Sequence, residues 1–300
     1  MNTAVPFDLR SWNTARLAEV EAALSHWVAE DAPERLSDAM RYAVLDGGKR
    51  LRPLLVLAAC EAVDGNAEAA LRAACAVELI HAYSLVHDDM PCMDNDVLRR
   101  GKPTVHVQFG EARALLAGDA LQALAFELLT PEGADVPPAM QAELCRLLAR
   151  AAGAQGMAGG QAIDLASVGK PLIETELRSM HERKTGALLQ ASVRMGAACG
   201  SAVTPAARAA LDDFGAVIGL AFQVVDDILD VTADSAELGK TAGKDAAADK
   251  PTYVSLLGLP AAQALADALC SQAHAALDAS GLPRVERLRA LADLVVKRRN

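Results

Sequence analysis

The stretch AVELIHAYSLVHDDMPCMDND, residues 76–96, decides the fold. Val77, His81, Ser84 and Asp88 recur at helical spacing on one stripe, and Leu79, Tyr83 and Val86 on another. This apolar helix runs into Asp88, Asp89, Asp94 and Asp96. Carboxylates packed this densely repel one another unless water solvates them or a hard cation neutralises them. From the residues alone, an acidic helix end and a metal-binding turn both stand. Pro91 breaks the helix and lets Asp94 curl back toward Asp88.

Outward from this stretch the periodicity stays helical, and no convincing strand alternation appears. Of the 300 residues 52% are hydrophobic, much of that alanine, and only 3% are aromatic. Such a composition suits closely packed helices better than sheets, which favour β-branched and aromatic residues. Breaks fall at Asp46-Gly47-Gly48, Asp64-Gly65-Asn66, Arg100-Gly101-Lys102-Pro103, Thr130 to Pro138, Gly169-Lys170-Pro171, Gly200 to Pro205 and Ser280-Gly281-Leu282-Pro283. None has the character of an interdomain linker, so residues 1–300 are expected to form a single all-α domain. The run from Thr232 to Pro251 is polar and reads as a mobile loop.

Net charge −10 argues against nucleic acid as a partner, because a binder of nucleic acid carries a basic face. The six cysteines form no C-x-x-C pair and read as free thiols in a reducing cytosol, which predicts a cytoplasmic protein. Residues 1–9 contain no apolar signal core. The apolar runs from Pro53 to Cys60 and from Phe214 to Phe222 are too short to span a bilayer, so no integral membrane association is expected.

A second aspartate set, Asp226, Asp227 and Asp230, follows an almost wholly apolar helix that also carries Gln223. Asp226 and Asp230 lie one turn apart on one face. Negative charge at a helix C-terminus opposes the macrodipole, and that mismatch favours an external cation over a solvated turn. Gly47-Gly48-Lys49-Arg50-Leu51-Arg52-Pro53 leads from glycines into cations just before an apolar helix. It reads either as a basic surface turn or as a pocket in which backbone N–H groups, Lys49 and Arg52 meet a diphosphate. Arg99 and Arg100 follow the first aspartates and serve either as salt-bridge partners or as a grip on phosphate oxygens. Lys184-Thr185-Gly186 and the polar-run lysines Lys240, Lys244 and Lys250 are weak signals singly. No Gly-x-x-x-x-Gly-Lys-Ser/Thr loop is present. No nucleophile–base pair stands out, so the chemistry implied is metal-assisted diphosphate departure.

Together these motifs resemble the trans-isoprenyl diphosphate synthases. The likeness rests on residues 47–53, on His81 to Asp89, on Gly159-Gly160-Gln161-x-x-Asp164, on Lys184 to Gly186, on Gln223-x-x-Asp226-Asp227-x-x-Asp230 and on Gly239 to Asp245, in the family's order. It implies one helical bundle of the isoprenoid synthase type around a central cavity. It also implies that Asp88, Asp94 and Asp226 bind three magnesium ions, with Asp230 in support and Asp89 and Asp227 behind them. Arg99, Lys184, Thr185, Gln223 and Lys240 would hold an allylic diphosphate. Lys49, Arg52, His81 and Arg100 would hold isopentenyl diphosphate, with Lys250 nearby and Gln161 and Asp164 on the wall. Residues 232–251 would close as a lid, and the protein would be a homodimer.

Product length is implied by the same likeness. Ser84 lies one turn below Asp88 and Tyr83 about 7.5 Å below it by helix rise. An aromatic at this position, with four residues from Met90 to Met93 where two are usual, is the pattern of bacterial farnesyl diphosphate synthases. Farnesyl diphosphate is therefore the expected product, with geranyl and geranylgeranyl diphosphate as alternatives. A non-catalytic subunit would lose one aspartate set, and a terpene cyclase would carry a different second motif. The basic end, Lys297 to Arg299, reads as a frayed tail rather than a cap on the substrate entrance.

Overall fold

A computed structural model describes residues 7–45, 47–133, 135–170, 172–232 and 252–298, and the helical expectation holds throughout them. The order is α1 (Leu9–Trp27), α2 (Leu36–Val44), α3 (Leu51–Ala62), α4 (Ala67–Asp88), a β1–β2 hairpin (Leu98–Arg99, Lys102–Pro103), α5 (Val105–Phe109), α6 (Glu111–Leu129), α7 (Pro138–Ala152), α8 (Met157–Ser167) and α9 (Glu174–His181). A π-helical turn (Glu182–Gly186) joins α9 to α10 (Ala187–Ala198), followed by α11 (Pro205–Thr232). After residues 233–251, which lie outside the description, come α12 (Tyr253–Leu257), α13 (Leu259–Ala279) and α14 (Glu286–Lys297). The expected lid, with Lys240, Lys244 and Lys250, falls on those residues.

Helix starts follow local chemistry. The Asp8 and Asn66 side chains accept N–H groups at the starts of α1 and α4, and Thr252 does so for α12. Among the described residues the hairpin departs from the helical expectation. Arg100 (φ 52°) and Gly101 (φ 76°) take left-handed conformations between two-residue strands too short to show alternation.

The apolar interior forms two clusters. One gathers α1, α2, α4, α6 and α7; the other gathers α11, α13 and α14. α3 and α10 contribute to both, through opposite faces. They cross closely because Gly196 lies against the Val56 carbonyl, where a Cβ would collide. α4 has the length and composition of a membrane span, but 78% of its apolar window is buried inside the bundle. Its apolarity is thus accounted for by helix neighbours.

Candidate active site

The first aspartate turn folds back on α4 as its proline suggested. The Asp94 N–H donates to the Asp88 carbonyl at 2.8 Å, and the Asp96 N–H donates to the Asp89 carbonyl at 3.1 Å. Asn95 takes a left-handed conformation (φ 53°) that closes the loop. Asp89 is buried and is gripped by Arg99 through two bonds, Nε at 2.8 Å and Nη2 at 2.6 Å. Asp88 is not so satisfied. Burial pushes its carboxyl up to about 6, the Lys184 charge opposes that rise, and Asp94 adds to it.

The second set lies on α11. Asp227 is buried and accepts from Gln223 Nε2 at 2.8 Å and from the Tyr253 N–H at 2.8 Å. It therefore ties α11 to the start of α12. Gln223 Oε1 accepts from Thr185 Oγ1 at 3.2 Å, which extends the chain of bonds to the π-helical turn. Asp230 is buried on the same helix. Asp226 is ion-paired with Arg298 at 2.7 Å, and Arg298 also donates to the Phe222 carbonyl at 2.6 Å and covers the Phe222 ring. The Arg298 side chain is 7% exposed, so the expected fraying is overturned at that residue, while Lys297 is 74% exposed. The arginine packs because a ring, a carbonyl and a carboxylate all meet it.

Three glycine contacts bring these pieces together. Gly160 of α8 lies so close to the Lys184 backbone that a Cβ would collide. A Cβ on Gly219 would stand 2.8 Å from the Gly186 Cα. α8 and α11 therefore both press on the π-helical turn, a feature that often marks functional positions. Lys184 there pairs with Asp164 at 2.5 Å. The third contact is Arg100, which donates to the Gly47 carbonyl at 2.5 Å and lies across Gly48, where a Cβ would be 2.8 Å from its Nη1.

The basic residues separate into structural and available ones. Arg50 is buried and spent on the fold, bonded to Glu21, Glu78 and the Val44 carbonyl. Arg52 is buried; burial lowers its pKa, against the pull of Glu78 and Asp226. His81 is held well below its ordinary pKa by burial and by Arg52, Arg100, Arg99 and Arg50. The carboxylates that share its cleft, Glu78 and Asp89, are paired with Arg50 and Arg99. Lys49 is exposed. His81, Arg99 and Arg100 line one small cleft of about 50 Å³ along α4. A larger cleft of about 590 Å³ lies elsewhere, between α7, α10 and α11. Gln161 is buried on α8, and neither of its amide atoms has a hydrogen-bond partner among the described residues. Such orphaned groups are uncommon and mark places where a further polar partner belongs.

Tyr83 is buried on α4, edge-on to His87 with ring centroids 5.7 Å apart, and its hydroxyl bonds to Gln122 of α6. The Ser84 hydroxyl turns back to the His81 carbonyl at 2.9 Å. Sequence reasoning missed Arg298 and the pairing of Lys184 with Asp164. No local pattern marks either, since the partners stand 72 and 20 residues apart.

An all-α bundle with two aspartate-bearing helix ends and a basic rim defines the isoprenoid synthase class. Residues 33–280 match the Polyprenyl synthetase family. The chain is 52% identical over 282 residues to a "Probable farnesyl diphosphate synthase" of Bradyrhizobium diazoefficiens, covering 92% of this chain and 84% of that protein. It is 47% identical over 299 residues to a chloroplastic geranylgeranyl pyrophosphate synthase of Capsicum annuum, covering 99% and 81%. A geranyltransferase of Helicobacter pylori, solved with magnesium and isoprenyl diphosphate, superposes with a TM-score of 0.86 at 36% identity, covering 98% and 100%. The chain belongs to the polyprenyl synthetase family, the trans-isoprenyl diphosphate synthases. It is a trans-prenyltransferase of isoprenoid synthesis.

Proposed function

We propose that this chain condenses isopentenyl diphosphate with dimethylallyl and then geranyl diphosphate to give farnesyl diphosphate. The observation that carries the diphosphate chemistry is electrostatic. His81 is neutral among arginines, and Asp88 is held at a raised pKa beside Asp94. Burial and the neighbouring arginines disfavour charge on His81, and burial raises Asp88 even against the Lys184 charge; a metal diphosphate would bring anionic oxygens to the first and cations to the second.

The carboxylates of Asp88, Asp94, Asp226 and Asp230 fit magnesium, which takes hard oxygen donors and keeps phosphate oxygens among its ligands. When bound, magnesium would neutralise charge growing on the departing diphosphate; three ions are proposed. The rest falls to the chain. Lys184, Thr185, Gln223 and Arg99, with Lys240, orient the allylic diphosphate. Asp164, Asp227 and Asp89 fix the side chains of Lys184, Gln223 and Arg99. Lys49, Arg52, His81 and Arg100 hold isopentenyl diphosphate, with Lys250 nearby, and Gln161 offers its unmatched amide to the wall. Fixing both substrates converts an encounter into an intramolecular attack of the double bond on the ionising allylic carbon.

Tyr83 sets the floor for the growing chain. Its ring is wedged between α4 and α6 and anchored by Gln122 and His87, so it resists displacement. A geranylgeranyl product is the second reading, favoured by Ser84, which is small and shares the Asp88 stripe. Residues 1–300 are proposed to act as a single domain, with 232–251 as lid. A cytoplasmic homodimer is proposed as well. Val107, Leu115 and Leu116 leave an apolar face exposed on α5 and α6, which a second copy would cover.

The test is product length. Protein with Mg²⁺, isopentenyl diphosphate and either dimethylallyl or geranyl diphosphate is assayed, and the dephosphorylated products are resolved by mass. Farnesol from both primers is expected. Geranylgeraniol would retain the prenyltransferase and remove Tyr83 as the floor; no condensation would remove the activity.

A further inference from the structure

Cys270, His274 and Asp293 meet far along the chain from the aspartate turns. The first two stand at i and i+4 on α13, and Asp293 projects from α14. Cys270 Sγ lies 3.5 Å from Asp293 Oδ1 and 4.0 Å from His274 Nε2, and that same nitrogen lies 3.2 Å from Asp293 Oδ1. We propose that these three side chains form a tetrahedral transition-metal site, of the kind zinc occupies, with a fourth position open to water.

The spacing supports this. Zinc bonds of about 2.3 Å to sulfur and about 2.0 Å to nitrogen and oxygen place tetrahedral ligands about 3.3–3.5 Å apart. The three observed edges bracket that range, so a small movement of one thiol completes the geometry. The donor set also fits: thiolate and imidazole are borderline-soft ligands that select zinc-like ions over magnesium. The trio therefore differs in kind from the oxygen-only aspartate turns. A nucleophilic triad is the other use of these residue types, and the geometry opposes it. Thiol and carboxylate converge on one and the same imidazole nitrogen, where a triad places them on opposite nitrogens.

The scaffold is rigid. Leu269, Ala273 and Leu277 of α13 and Leu288, Leu291, Ala292 and Val295 of α14 are buried together beneath the trio. Lys297 Nζ stands 3.8 Å from the second Asp293 oxygen, Oδ2, leaving Oδ1 directed at the other two ligands. All three residues are only partly buried, so an ion can reach them from solvent. On binding, the metal displaces the thiol proton of Cys270 to the buffer. The ion then ties α14 to α13, and α14 is the helix that carries Arg298 to Asp226.

Cobalt(II) is the probe, because a thiolate ligand gives a charge-transfer band that oxygen ligands lack. The full-length chain, freed of metal and held in excess Mg²⁺ to fill oxygen-only sites, is titrated with Co²⁺ and then Zn²⁺. A Cys92→Ser background removes the exposed thiol within the first aspartate turn. The band is expected to appear at one equivalent, to be displaced by Zn²⁺, to vanish in Cys270→Ser and to need about tenfold more Co²⁺ in His274→Gln and Asp293→Asn. Zn²⁺ is also expected to raise the melting temperature of the parent but not of Cys270→Ser, with condensation activity in Mg²⁺ unchanged in both. Absence of the band, or its persistence in Cys270→Ser with native helicity, overturns the site.

Discussion

The two aspartate ends are alike in sequence and unlike in how their charge is balanced. At the end of α4, Arg99 is ion-paired with Asp89, and half-buried Asp88 has a pKa raised by desolvation despite the Lys184 and Arg99 charges. On α11, Asp227 is saturated by an amide and a backbone N–H, and Asp226 is met by the chain's own Arg298. At the first end burial outweighs the nearby Lys184 and Arg99 charges at Asp88, and at the second Arg298 meets Asp226 directly.

Removing one carboxylate from each end separates the two most clearly. Asp88→Asn and Asp226→Asn are each expected to lower kcat/KM by about 10³-fold, since each removes a ligand for charge developing in the transition state. Their stabilities should move in opposite directions, which thermal unfolding in EDTA would show. A carboxyl whose folded pKa exceeds its unfolded value destabilises the fold above that pKa. Asp88→Asn should therefore stabilise the metal-free protein by about 1–2 kcal/mol at pH 8, with the gain vanishing as pH falls through about 6 toward 4. Asp226→Asn strands the Arg298 guanidinium and should cost about 1 kcal/mol or more. Equal signs for the two variants would dissolve the distinction.

Smaller effects sharpen it. Gly219→Ala drives a methyl into Gly186 and should cost about 1–3 kcal/mol while raising KM for the allylic substrate, because it parts Thr185 from Gln223. Arg298→Met removes the internal cation and should lower the Mg²⁺ concentration for half-maximal rate by about threefold, with little change in kcat.

Much of this was legible in the sequence where causes are local. Period and alanine content gave the bundle, and Pro91 gave the fold-back of Asp94. Asp89 and Asp227 are each taken up by partners within the chain, Arg99 for the first and Gln223 with the Tyr253 N–H for the second. What was hidden depends on distant pairing. Arg50 looks like a third pocket cation beside Lys49 and Arg52, yet Glu21 and Glu78 absorb it into the core. Arg298 sits in a basic tail with no local signal, because its burial is created by Phe222 and Asp226 on another helix.

Both aspartate ends are proposed to act on one diphosphate through added cations. This is tested most directly by calorimetric titration of an unreactive allylic diphosphate analogue into the protein, into Asp88→Asn and into Asp226→Asn, with Mg²⁺ and with EDTA. Binding by the parent in Mg²⁺, its loss in EDTA and a loss of about tenfold or more in each variant are predicted. Binding that persists in EDTA, or that either variant leaves unchanged, would contradict the account.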